Sequence, residues 1–222
     1  MRVLRWAAVA ACLTMPAMAD AGALPVLPVD QAKRDKPLLE MRERLAAAVE
    51  RKDLAALAEF VAPDARIAGA PGGSAALMAW LRREPALWDE LARTLALGGR
   101  LTGRDRFEAP YTQFAKQKGV PADDLGVVTG RNVAVYDGPT EKARIMARYS
   151  VETVVVKRWW VAESHADAAR AAQPAEPWVE IELPSKRRGY MAKRSVRWVG
   201  AMRVTFTKRG TRWWVTAVET GL

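Results

Sequence analysis

Residues 132–156 read NVAVYDGPTEKARIMARYSVETVVV. Within them, 132–136, 143–149 and 151–156 are short runs of β-branched and aromatic side chains, and Gly138-Pro139 separates the first from the second. Runs of that length and composition, punctuated by turn residues, read as strands. The same texture continues at 127–128, 178–183 and 190–192. Further on, 203–207 and 212–218 flank Lys208-Arg209-Gly210-Thr211, a hairpin whose glycine supplies the positive φ of a tight turn.

Before Gly119-Val120-Pro121 the period is helical. Leu38, Met41, Leu45 and Val49 share one face at 3.6 spacing. Asp53 is an N-cap for a second helix carrying Leu54, Leu57 and Phe60. Ser74 caps a third with Leu77, Trp80 and Leu81, and a fourth runs from about Pro85 through Trp88, Leu91 and Leu95 to Gly98-Gly99. Residues 65–68 read as one short strand between the second and third helices.

The chain has 222 residues, one Cys and one His, which excludes zinc fingers, iron–sulfur sites and Cys–His nucleophilic schemes. Its formal net charge is +10. Arg2 and Arg5, the apolar run WAAVAACL at 6–13 and Ala17-Met18-Ala19 read as a secretory signal peptide over residues 1–19, which places the mature protein in the periplasm or outside the cell. Val9-Ala10-Ala11-Cys12 leaves open lipidation of Cys12. No later segment is apolar enough to span a membrane. Residues 20–125 carry 16 basic and 16 acidic side chains, whereas 126–222 carry 17 basic and 9 acidic. An anionic partner is therefore expected for the β-rich half.

Residues 126–197 resemble the bacterial SH3-like domain. The resemblance rests on Asn132-Val133-Ala134-Val135-Tyr136-Asp137-Gly138-Pro139-Thr140, on 143–156, on Trp178-Val179-Glu180-Ile181 and on Gly189-Tyr190-Met191. It implies a small five- to six-stranded barrel with Tyr190 in its core, used as a noncatalytic adapter toward cell-wall polymers or envelope proteins. The two ends of the chain, through the run at 53–58, Asp64-Ala65-Arg66-Ile67 and the 204–218 hairpin, more weakly resemble a nuclear-transport-factor-2-like α+β cone. The barrel is then either inserted into that module or appended to it.

The expected fold is α+β: an extended leader over 20–36, a helical domain over 37–118, a linker over 119–125, the SH3-like β-barrel over 126–198 with an inserted loop at 162–177, and a C-terminal β-hairpin over 199–222.

No catalytic, metal or cofactor site is expected. His165 lies in the Ala-rich insert without a rigid orienting partner. Asp123-Asp124 are adjacent, so on an extended chain they point apart. Gly69 to Ser74 lacks the Lys of a phosphate loop and reads as turn plus cap. Lys186, Arg187 and Arg188 are either a solvated strand end or an anion-binding surface. Tyr136, Trp159 and Trp160 are candidate stacking residues, although of each adjacent pair, Trp159-Trp160 and Trp213-Trp214, one member should face a core.

The function expected is binding of a cell-wall or other anionic envelope polymer, or of an envelope protein. Nucleic acid fits the charge but not export. The alternative is a small-molecule or enzymatic site formed by the helices and the hairpin. If the leader reading holds, N-terminal sequencing of exported protein should begin at Asp20, with no cysteine in the mature chain. A retained Met1, or lipid mass on Cys12, would overturn it.

Overall fold

The structure, a computed structural model, describes residues 24–161 and 177–221. The expected signal peptide, residues 1–19, and the insert with its His165 lie outside the described residues.

Asp35 caps α1 (Lys36–Glu50) by accepting from Leu38 N at 3.0 Å, and Asp53 caps α2 (Leu54–Ala58) by accepting from Ala56 N at 3.0 Å. Pro63 then lies inside β1 (Val61–Ile67), where the pairing register shifts and no ladder N–H is required of it. After β2 (Ala70–Pro71), the chain forms α3 (Gly73–Arg83), α4 (Leu87–Ala96), β3 (Arg100–Leu101) and β4 (Arg106–Ala109). It returns to the same sheet only at β12 (Arg203–Arg209) and β13 (Arg212–Glu219), giving the order β2-β1-β13-β12-β4-β3. β1 runs parallel to β13, and the other pairs are antiparallel. All four helices share one core with this sheet, in which Leu38, Leu45, Leu77 and Leu91 pack with Phe107, Val204, Phe206 and Trp213.

Everything between β4 and β12 builds a second unit. Its strands are β5 (Leu125–Val128), β6 (Val133–Tyr136), β7 (Ile145–Tyr149), β8 (Thr153–Val161), β9 (Trp178–Glu182), β10 (Arg188–Ala192) and β11 (Val196–Trp198). They lie in the order β11-β5-β8-β9-β10-β6-β7 around a core of Val135, Val154, Val156, Val179, Ile181 and Met191.

The expected fold is corrected on three points. Residues 37–118 are not a helical region, because β1 to β4 interleave with the helices and belong to their sheet. The C-terminal hairpin is not a separate element. Its strands lie between β1 and β4, and their apolar residues complete the helices' core. There is no closed SH3-like barrel, since β7 and β11 stand at opposite edges of an open seven-stranded sheet. Composition reveals where strands are, but closure depends on which edges meet.

The two units touch through a third cluster, where Leu97, just past α4 in the first unit, packs against Tyr111, Leu125, Val127 and Val199 of the second. This explains why β5 is buried on both faces: Val128 faces the second core while Leu125 and Val127 face the first unit. The leader straps across the junction. Leu24 N donates to Thr153 Oγ1 and Val26 N to Val151 O in the second unit, and Gln31 N donates to Gly99 O in the first.

A chain truncated after Gly200 should lose hydrogen-exchange protection throughout residues 36–96, because the two central strands of their sheet are gone. Persistent protection there would mean that the helices fold without the hairpin. In the full chain, Phe206→Ala removes a buried ring packed edge-on to Phe107, with centroids 5.7 Å apart, and should cost about 3–5 kcal/mol in denaturant unfolding.

Candidate functional site

The second sheet turns one face into its core and the other away from it. Along β9, Val179 and Ile181 enter the core, so Trp178, Glu180 and Glu182 point outward. Along β10, Met191 enters the core and Tyr190 points outward, half-buried. That corrects the expectation for Tyr190: the core position of the Gly-Tyr-Met run is Met191. Gly189 is needed beside it, because a Cβ there would lie 2.5 Å from Val135 Cγ1.

Register sets Arg158, Glu180, Tyr190 and Tyr136 in one row across four strands, since Arg158 pairs with Glu180, Glu180 with Tyr190 and Tyr190 with Tyr136. Glu180 is only 2% exposed. Its Oε2 accepts from Arg158 Nε at 3.0 Å and from Arg158 Nη2, and also from the Tyr190 hydroxyl at 3.3 Å. Arg188 Nε lies 3.5 Å from Oε1. Burial pushes the Glu180 carboxyl up, but the Arg158 hydrogen bond and the charges of Arg158 and Arg188 outweigh it and hold the group below the usual glutamate range. Beside it, Glu182 bridges Lys186 Nζ at 2.8 Å and Lys157 Nζ at 3.2 Å, which lower its pKa as well.

These side chains rim an open depression of about 540 Å³, in which four cations meet two carboxylates. Arg187 stands exposed in the adjoining turn, with no ion-pair partner among the described residues. Lys186 holds φ at 61°, a conformation favoured by glycine, so the turn directs a lysine where a relaxed loop would place Gly or Asn.

Of the expected binding residues, Lys186, Arg188 and Tyr136 share this face. The Tyr136 ring meets Trp178 edge-on, with centroids 5.6 Å apart. Trp159 does not join them. It packs against the second core and lies beside Trp198, and its indole N–H donates to Asp123 O at 2.7 Å. Trp160 is 65% exposed on β8. In the other tandem pair Trp213 is buried and Trp214 is partly buried against the same core, with the Arg212 guanidinium over its ring. Lys157, Arg158, Glu180, Glu182 and Tyr190 escaped sequence reasoning as members of one site. The period-2 alternation Trp178-x-Glu180-x-Glu182 was their available signal.

No helix among the described residues is long and apolar enough to cross a membrane, and none of their acidic, His or Cys side chains group as a metal site. No family model matches the chain, and no curated protein or solved structure matches it.

Because the folded pKa of Glu180 lies below its unfolded value, its contribution to stability is complete above the ordinary glutamate pKa of about 4.3 and is lost as pH falls through the folded value. Glu180→Gln should cost about 1–3 kcal/mol at neutral pH and should flatten the acid limb of a stability–pH curve. An unchanged acid limb would assign that limb to other carboxylates.

Proposed function

We propose that the protein is a noncatalytic binding module of the cell envelope, and that the outer face of β8, β9 and β10 takes an anionic polymer. The observation carrying this reading is the surplus of cations on one face: Lys157, Arg158, Lys186 and Arg188 against Glu180 and Glu182, with Arg187 beside them. The buried Glu180 works as an internal tie, holding the Arg158 and Arg188 guanidinium groups at fixed points on the sheet. A polymer carboxylate or phosphate then meets charges already arranged, which lowers the ordering cost of binding. Tyr136 and Tyr190 add ring surface along the same row. The signal-like run at residues 1–19 favours an envelope polymer as the source of the anion.

A second reading, a small-molecule site between the helices and the hairpin, finds a recess of about 460 Å³ lined by Met41, Arg44, Phe60, Arg212 and Trp213. The nearby Asp35 is already occupied by Leu38 N, Trp213 Nε1 and Lys208 Nζ, and so serves as a cap and tie. The outer face of the second sheet is preferred.

Sedimentation with isolated cell-wall material and with phosphatidylglycerol vesicles tests the proposal. Binding should weaken steeply as salt rises, because exposed charges are screened over about 8 Å at physiological ionic strength. Replacing Lys186, Arg187 and Arg188 together with Gln should weaken it about tenfold or more at low salt while leaving thermal unfolding cooperative. Salt-insensitive binding, or equal binding by the variant, would remove this face from the function.

A further inference from the structure

A second site lies at the junction of the two units, away from the outer face. It is an open cleft of about 300 Å³ between α4 and the β8 and β11 strands, the size of the smaller ligand pockets that form at domain boundaries.

Trp159 and Trp198 line it. Their rings lie 6.4 Å apart, tilted by 56°, and both indole N–H groups are committed to backbone carbonyls: Trp159 to Asp123 O at 2.7 Å and Trp198 to Ala122 O at 2.9 Å. The rings are held in place, and their apolar faces are what they offer a ligand.

Three cations line the same cleft, Arg93, Lys193 and Arg197, with Glu90 the sole carboxylate among the described residues that line it. Arg197 is 2% exposed. Its Nη2 donates to Thr94 Oγ1 and to Met202 O, each at 2.8 Å, and lies 2.8 Å from Glu90 Oε1, while its Nε has no partner. Burial lowers the Arg197 pKa, Glu90 opposes that, and the neighbouring Arg93 lowers it further. Arg93 donates to Arg194 O at 2.6 Å, but no carboxylate among the described residues pairs with Arg93 or with Lys193. Among the described residues, the cleft therefore holds more positive than negative charge, next to two immobilised aromatic faces. That is the pattern expected of a site awaiting an anion.

We propose that this cleft binds a small hydroxylated ring bearing one carboxylate, a sugar acid, with the carboxylate on Lys193 and Arg93, the ring on Trp159 and Trp198, and a hydroxyl donating to Glu90. A single carboxylate fits better than a phosphate, because a dianion loses more hydration in a cleft with indole walls. The hydroxyl follows from Glu90, whose side chain is 30% exposed and can accept a hydrogen bond at the cleft. The tilt between the rings leaves no parallel slot for a flat aromatic ligand, whereas a puckered ring can rest its C–H face on an indole. Arg197 touches no ligand in this arrangement and acts as a positioning residue, tying β11 to α4 and raising the positive potential of the cleft floor.

The test is an NMR titration of the full mature chain with sodium D-glucuronate, D-glucose and glucose 6-phosphate, following the indole N–H signals of Trp159 and Trp198, each assigned from its Phe variant. Glucuronate should shift both signals saturably and glucose should shift neither. Lys193→Gln should weaken glucuronate binding about tenfold, the loss of one charge-assisted contact, and Lys193→Arg should restore it. Arg158→Gln, on the outer face, should leave it unchanged. No saturable shift, equal binding of glucose, equal or tighter binding of glucose 6-phosphate, or wild-type affinity in Lys193→Gln would overturn the assignment. None of these results bears on the outer face, which the triple variant and the polymer sedimentation read separately.

Discussion

The pairing of β13 with β1 is the contact on which the rest of the molecule depends. Val61 lies opposite Val215 and Ile67 opposite Val218, in parallel. Once β13 occupies that place, its hairpin partner β12 falls beside β4, with Phe206 opposite Phe107. The segment between β4 and β12 is thereby clamped at both ends, a strand spacing of about 4.8 Å apart. The second unit is an insertion with two tethers, and the leader adds a third across the same junction. Three covalent or hydrogen-bonded ties explain how a guanidinium as buried as that of Arg197 can be held against a helix of the other unit.

Two of the three buried charged side chains among the described residues, Glu180 and Arg197, are opposites in design. Glu180 is surrounded by more positive charge than it carries, and its arginine partners stay open to water at their outer edges. Arg197 meets less negative charge than it needs, and its surroundings add a second guanidinium. Both environments leave a local surplus of positive charge, one on a broad face and one in a narrow cleft. Part of the excess of basic residues in 126–222 therefore falls on two surfaces of different shape, an open face and a narrow cleft.

Element by element, much of this was legible. The helix start at Asp53, the hairpin around Gly210 and most strands of the second unit follow from capping chemistry and β-branched runs, whereas the third helix begins at Gly73 with Gly72 as its cap and not at Ser74. Parity within a motif was less so: in Gly189-Tyr190-Met191 the aromatic looked like the core residue, but Gly189 is small because Val135 presses on it, and that same face takes Met191 through the neighbouring strands' packing. Edge strands of two residues, β2 and β3, leave no periodic signal at all. The open sheet and the central hairpin depend on partners far apart in sequence, which local composition does not encode. For the same reason the basic run at 186–188 was visible, while the row Arg158–Glu180–Tyr190, assembled by register across three strands, was not.

The central place of β13 also orders the birth of the molecule. A chain made from its N-terminus presents α1 to α4 first, yet the strands that cover their apolar faces are the last to emerge. The inserted unit has all its strands in hand earlier, by Trp198. A nascent chain can therefore complete its middle before its beginning, and throughout that interval the four helices offer bare leucines and tryptophans to any chaperone that holds apolar surface.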